Sequence, residues 1–337
     1  MKVLILGANG FIGSHLSEAI LANTDWQIEA MDLAQDKLED CLDHPRFHFV
    51  VGDITKQKDW INEAIRKCDV VLPLVAIATP ILYVQDPLRV FELDFEANLA
   101  IIRQCVEHKK RIIFPSTSEV YGMCPDAEFD EDESYLVTGP INKERWIYST
   151  SKQLLDRLIY AYGKHKGLSY SLFRPFNWYG PRLDNVFNPK PGGSRVLTQF
   201  IGNILRGEDI NLVNGGAQQR CFTYIGDGID ALIRIIENKD NCAHNRIFNI
   251  GNPDENISIR RLAEMLKELI VEGYPKHATQ ANSTQLIDID AKHYFGEGYQ
   301  DVSLRVPSIR RAREQLDWMP LIDMPVGLKK TLDFYLV

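Results

Sequence analysis

No stretch of this chain approaches the roughly 20 apolar residues that a membrane-spanning helix needs. The apolar opening, Met1 to Leu6, is cut short by Gly7, Asn9 and Gly10, too soon for a secretion signal. Cysteines number six, at positions 41, 68, 105, 124, 221 and 242, and no two stand in C-x-x-C spacing. They are expected to be reduced thiols of a cytoplasmic protein, with no metal site. Runs of lysine or arginine are missing and the net charge is −8, which speaks against nucleic acid or an anionic membrane as the main partner. Internal repeats and low-complexity segments are also missing. What is present is ordinary: 45% hydrophobic and 25% charged residues over 337 positions, enough for one large domain or two moderate ones.

Residues 3–6 form an apolar run of strand length, and Gly7-Ala8-Asn9-Gly10-Phe11-Ile12-Gly13 follows directly, ahead of helical periodicity over 14–21. Glycines at this spacing permit a tight turn, close approach to a pyrophosphate and close helix-to-strand packing. Gly7, Asn9, Gly10, Phe11, Ile12 and Gly13 are therefore candidate dinucleotide contacts. A second strand over 27–31 ends in Asp32, placed to bind ribose hydroxyls and to repel a 2′-phosphate, so NAD is expected over NADP. A third strand over 47–51 is ended by Gly52-Asp53-Ile54; Asp53 is read as an adenine contact, with a helix N-cap the equal alternative, and Ile54 as a further cofactor contact.

Further strands are expected at 70–76, 111–114, 168–173 and 246–250, with helices at 56–66, 88–107 and 227–237 between them. This alternation predicts an α/β fold, a doubly wound parallel Rossmann sheet with a smaller discontinuous α/β substrate-binding lobe. The boundaries expected are 1–176, with 221–250 returning, for the sheet, and 177–220 plus 251–337 for the lobe. Within the lobe, Asn214-Gly215-Gly216 reads as a hairpin turn between 210–213 and 220–224, and Ser258 as the N-cap of a helix over 259–270. Residues 125–147 read as a solvated acidic loop, 188–193 as another loop, and 326–335 as a short closing helix.

Tyr148 and Lys152 are four residues apart and share one helix face. A lysine ammonium beside a phenol favours phenolate, so the pKa of Tyr148 is expected to fall from about 10 toward working pH. Such a phenol can take the proton of a secondary alcohol as hydride leaves the same carbon. The helix continues to Gly163, and its spare apolar face is read either as a dimer surface or as packing within the subunit.

With the glycine motif and Pro115-Ser116-Thr117-Ser118-Glu119-Val120-Tyr121-Gly122, this pair resembles the extended short-chain dehydrogenases/reductases acting on nucleotide sugars. In that family the hydroxyl of Thr117 would complete a catalytic set with Tyr148 and Lys152. Ser118-Glu119 stands where sugar 4,6-dehydratases carry Asp-Glu, and is similar to the pair in UDP-glucuronate decarboxylases. The stretches 115–124, 146–152, 173–178, 180–185 and 298–302 resemble the decarboxylating dehydrogenase half of ArnA-type polymyxin-resistance proteins, a likeness that runs from 1 to 337. The resemblance implies NAD-dependent oxidative decarboxylation of UDP-glucuronic acid to UDP-4-keto-pentose, in the service of lipid A modification; the alternatives are a UDP-xylose synthase that re-reduces C4 before release and a non-catalytic NAD-binding scaffold. Those proteins carry a formyltransferase domain ahead of this half, whereas Met1 here opens on the first strand; a homodimer is the expected assembly.

By position, the resemblance assigns Glu119 and Arg305 to proton transfer around decarboxylation, with an interlobe or carboxylate salt bridge the alternative for Arg305. Ser118 would bond the substrate carboxylate. Ala78, Tyr83, Thr117, Ser118, Arg145, Asn177, Arg195, Arg220 and Tyr299 are implied as substrate contacts. A guanidinium fork suits a diphosphate. Asn211, Ala217 and Gln219 stand where the family has lysines, which implies weaker nucleotide binding.

Overall fold

The protein is described from a computed structural model covering residues 1–187, 194–291, 294, 296–298, 300, 302 and 304–337. Tyr299 and the 188–193 loop lie outside the described residues. Seven strands, β1 (Lys2–Leu6), β2 (Gln27–Asp32), β3 (Phe47–Val51), β4 (Val70–Pro73), β5 (Arg111–Pro115), β6 (Tyr170–Pro175) and β7 (Arg246–Ile250), form one sheet. Their order is β7-β6-β5-β4-β1-β2-β3 and every pairing is parallel. The chain moves outward from β1 through β3, then returns to build from β4 in the opposite direction. Loops leaving β1 and β4 therefore diverge and open a crevice at the carboxyl edge, the place where such sheets bind ligands.

Helices cover both faces, which is why the strands read as continuous apolar runs. The longer ones are α1 (Phe11–Asn23), α2 (Lys58–Lys67), α3 (Asn98–Glu107), α4 (Trp146–Lys166), α5 (Val196–Arg206), α6 (Ile225–Glu237), α7 (Ile259–Gly273), α8 (Arg310–Leu316) and α9 (Met324–Leu336). Val3 and Ile5 face Leu16 and Ile20 of α1 and Leu232 and Ile236 of α6. Leu4 and Leu6, alternating to the other face, join Ile65 of α2, Ile101 of α3 and Leu155 of α4. A separate core gathers Phe200 and Ile201 of α5, Leu262 and Leu266 of α7, and Leu328 and Leu332 of α9. Among the described residues no helix is long and apolar enough to cross a membrane.

Several expectations change. The strand expected at 70–76 stops at Pro73, and the helix expected over 88–107 is broken into Pro87–Phe91, a π-helical turn Glu92–Ala97, and α3. Asn98 supplies the reason: its side-chain amide donates to the carbonyls of Leu93 and Asp94, and to Val75 beyond β4. The hairpin over 210–224 does not form. Ile210–Val213 instead pairs in parallel with Leu286–Ile289, and Gln219–Cys221 pairs antiparallel with Asn256–Ser258. Ala312 and Leu316 of α8, with Trp318, pack into the core under the sheet, although 251–337 was expected in the lobe. The acids of the 125–147 loop are not bland charge. Glu131 is buried and accepts the Asn249 amide, and Asp130 and Asp132 pair with Arg310 and Arg311. Ser258 caps α7 as expected, its hydroxyl accepting the Arg261 amide at 3.0 Å.

Candidate active site

The glycine loop turns straight from β1 into α1. Gly7 has φ +92°, open to glycine at little strain, and a Cβ on Gly13 would come within 2.3 Å of the Gly7 carbonyl oxygen. No side chain caps α1 and no acid lies in its first turn, so its leading amides and positive dipole end remain available to an anion. Asp32, at the end of β2, accepts the amides of Asn9 at 2.8 Å and Leu33 at 2.7 Å. Burial raises its pKa, and those amides oppose the rise. This cradle fits a dinucleotide: glycines that let a pyrophosphate approach, and a carboxylate at the end of the next strand, where such sheets bind ribose hydroxyls. Asp53 caps no helix, the N-cap of α2 being Gln57; its carboxylate binds the amide and hydroxyl of Thr55. Ile54 is buried among apolar residues of the sheet's second face.

Beyond the carboxyl ends of β4 and β5, Tyr148 is buried and its ring stacks on Tyr83, with centroids 4.7 Å apart. Ala78 packs beside the two rings. Contrary to expectation, the pKa of Tyr148 is pushed far up. Burial is the main cause, the anions Asp94 and Glu119 add to it, and the Thr117 hydroxyl opposes it. The Lys152 ammonium donates to the Pro115 carbonyl at 2.9 Å, over the Phe114 ring. Burial lowers the pKa of Lys152, against the pull of Asp94 and Asp156. Ser118 is buried at the start of the single 3-10 turn Ser118–Tyr121, and Thr117 accepts the Glu119 amide at 3.1 Å.

The adjoining cavity is lined by Glu119, Arg145, Asn177, Arg195, Arg220 and Arg305, so six expected site residues converge. Glu119 accepts from Arg145 at 2.6 Å through one carboxylate oxygen and from Arg305 through the other. Burial alone would raise the pKa of Glu119, but Arg145 and then Arg305 outweigh it and hold it at about 2. Glu119 is thus a fixed anion here, and Arg305 is its ion-pair partner, which is the salt-bridge alternative for that arginine. Asn177 adopts φ +41° and ties the cavity wall to Cys221 through a 3.0 Å bond.

The family model for the NAD dependent epimerase/dehydratase family matches residues 3–251. The chain belongs to that family. NAD is accordingly its cofactor, in agreement with the cradle described above. A crystal structure of the PbgP3 protein from Burkholderia pseudomallei is 52% identical, covers 99% of this chain and 96% of its own, and superposes with a TM-score of 0.90. UDP-glucuronic acid 4-epimerase from Bacillus cereus, solved with UDP-glucuronic acid and NAD, shares the fold at 24% identity and TM-score 0.82, covering 99% and 98% of the two chains. UDP-glucose 4-epimerase from Thermotoga maritima, solved with UDP-glucose, does so at 22% and 0.80, covering 99% and 98%.

Asp94 was not foreseen. It is fully buried in the π-helical turn and accepts the Ile77 amide at 2.7 Å, bracing the loop beyond β4. Burial raises its pKa to about 6, with Lys152 the largest opposing influence. An acid inside an apolar helical pattern was the available signal. The Asp156–Arg174 pair behind the site was also missed; Asp156 accepts the Ser116 hydroxyl at 2.7 Å and so anchors the segment that carries Thr117.

Proposed function

We propose that the protein oxidatively decarboxylates UDP-glucuronic acid, yielding UDP-4-keto-pentose, carbon dioxide and NADH. The observation that carries this reading is Glu119 held between Arg145 and Arg305, beside Thr117 and Tyr148. An alcohol-oxidising pair needs no second cation. Two buried guanidiniums at its edge suit a substrate that carries a carboxylate next to the carbon being oxidised.

NAD, held by the glycine loop and Asp32, would supply the hydride acceptor and a positive charge. Tyr148 takes the O4 proton as hydride leaves C4, with Thr117 bonding the same oxygen and Lys152 stabilising the phenolate. The product of that step is a β-keto acid. Its carboxylate leaves as carbon dioxide, the bonding pair passes into an enolate, and C5 takes back one proton. The proton lost from O4 balances the proton gained at C5. Arg305 orients the carboxylate and stabilises the enolate; as a permanently charged group it suits that role better than proton donation. Glu119 at a pKa of about 2 is not a proton donor while both arginines hold it. It acts first as a stand-in anion, and becomes an acid or base only when the incoming carboxylate draws an arginine away. Arg195 and Arg220 are assigned to the diphosphate, with Asn177, Ala78 and Tyr83 assigned to the rest of the sugar nucleotide.

Mass analysis of the product mixture tests the reading. UDP-glucuronate is expected to lose its carboxyl carbon, whereas UDP-glucose, which lacks the carboxylate, is expected to give no turnover. Epimerised, undecarboxylated product from UDP-glucuronate would overturn it.

A further inference from the structure

A strap over residues 180–185 leaves the sheet and passes the cofactor cradle before it reaches the sugar-nucleotide cavity. At its centre Arg182 sits at φ +64°, a left-handed conformation that a long side chain adopts only when its surroundings fix it. Those surroundings are specific. The Arg182 guanidinium forks onto both carboxylate oxygens of Glu18 on α1, at 2.7 Å for one of them. It also reaches the Lys37 carbonyl at 3.3 Å, and the Lys37 ammonium returns a 2.8 Å bond to the Arg182 carbonyl. Both side chains of the Glu18 pair are partly buried, so the pair is less screened than one on the open surface.

Each end of this contact enters a binding site. On one side the Lys37 amide donates to Asn9 Oδ1 at 2.7 Å, and the Asn9 amide in the glycine loop donates to Asp32. On the other side Asp184, two residues past Arg182, accepts the Arg195 amide at 2.8 Å and pairs with its guanidinium. Leu183 and Arg195 both line the cavity. The connection from glycine loop to cavity is therefore continuous: Asn9, Lys37, Arg182, Asp184, Arg195.

We propose that Arg182 is a positioning residue that latches the cavity strap to the cofactor cradle, so that NAD binding and nucleotide binding favour each other. Neither ligand needs to touch Arg182. NAD seated on the glycine loop fixes Asn9 and Lys37, these fix Arg182, and the strap then presents Arg195 to a diphosphate without further ordering. Linkage makes the effect reciprocal. The proposal rests on the cavity being the nucleotide site, and the test separates the two.

Titration calorimetry on the full chain would measure UDP binding with and without saturating NAD, and NAD binding with and without saturating UDP. Wild type is expected to bind each ligand roughly 5-fold or more tighter in the presence of the other. In Arg182→Met and in Glu18→Gln the factor should fall below about 2-fold in both directions, while the charge-swapped double variant Glu18→Arg/Arg182→Glu should recover part of it. A purely structural role would instead lower the melting temperature and weaken UDP equally whether NAD is present or not. Failure of wild type to bind UDP at all would contradict the nucleotide reading of the cavity. UDP binding that ignores NAD in wild type, or coupling intact in Glu18→Gln, would overturn the latch alone.

Discussion

Tyr148 has the side chain expected of a proton acceptor and the environment of a proton holder. Burial and the anions Asp94 and Glu119 keep it protonated, and Lys152 is engaged with Pro115. In the proposed reaction its activation would draw on Lys152 and on the positive charge that NAD would bring. Tyr148→Phe is expected to retain NAD affinity and to lose roughly 10²–10⁴-fold in kcat; stopped-flow turnover beside a binding titration checks both halves. Asp94 gives a pH signature of its own. Its folded pKa of about 6 lies above the ordinary 3.8, so the folded state holds the proton more tightly. The stability linked to that proton is fully present below about pH 4 and is lost as pH rises through about 6. Asp94→Asn should thus gain on wild type in urea unfolding between these limits, by at most on the order of 3 kcal/mol, and run parallel to it above. Glu119 and Arg305 are assigned to steps after hydride transfer. In Glu119→Gln and in Arg305→Met, rapid-quench samples of a single turnover should show bound NADH forming while carbon dioxide lags. Equal slowing of both signals would place the two residues before oxidation instead.

At the scale of elements, legibility followed the range of the interaction that decides each one. The strand, glycine loop and helix from Lys2 to Asn23 were readable because apolar period and glycine spacing are local. So was the Ser258 cap, a single side chain on its own helix. Ser258→Ala is expected to cost about 1 kcal/mol and lower the melting temperature without changing the cofactor or substrate sites; differential scanning calorimetry reads it. The π-helical turn was not readable, since Asn98 at its end reaches Val75 in the loop beyond β4. Pairing of Ile210–Val213 with Leu286–Ile289 was hidden for the same reason: two short runs far apart in sequence carry no mark of their partner. Within the candidate site, motif residues such as Tyr148 and Glu119 could be named. The direction of their pKa shifts could not, because it depends on residues distant in sequence: Asp94 and Glu119 for Tyr148, Arg145 and Arg305 for Glu119.

In the whole molecule, the sheet fixes the cofactor cradle and a second core formed by α5, α7 and α9 carries the far wall of the cavity. Arg195, Arg220 and Arg305 therefore come to line one cavity with Glu119 only in the folded whole. The membership in the NAD dependent epimerase/dehydratase family leaves several outcomes open for a 4-keto sugar: return of hydride, loss of water, or loss of carbon dioxide. The last is the outcome proposed here, on the strength of Glu119 clamped by two arginines. The most direct measurement follows nicotinamide absorbance and labelled carbon dioxide together, in one sample of enzyme, NAD and carboxyl-labelled UDP-glucuronate. Oxidative decarboxylation with release of the ketone predicts NADH and carbon dioxide accumulating in equal amounts over many turnovers. Carbon dioxide without net NADH would contradict release and indicate re-reduction at C4, and turnover of the sugar with neither signal would contradict decarboxylation altogether.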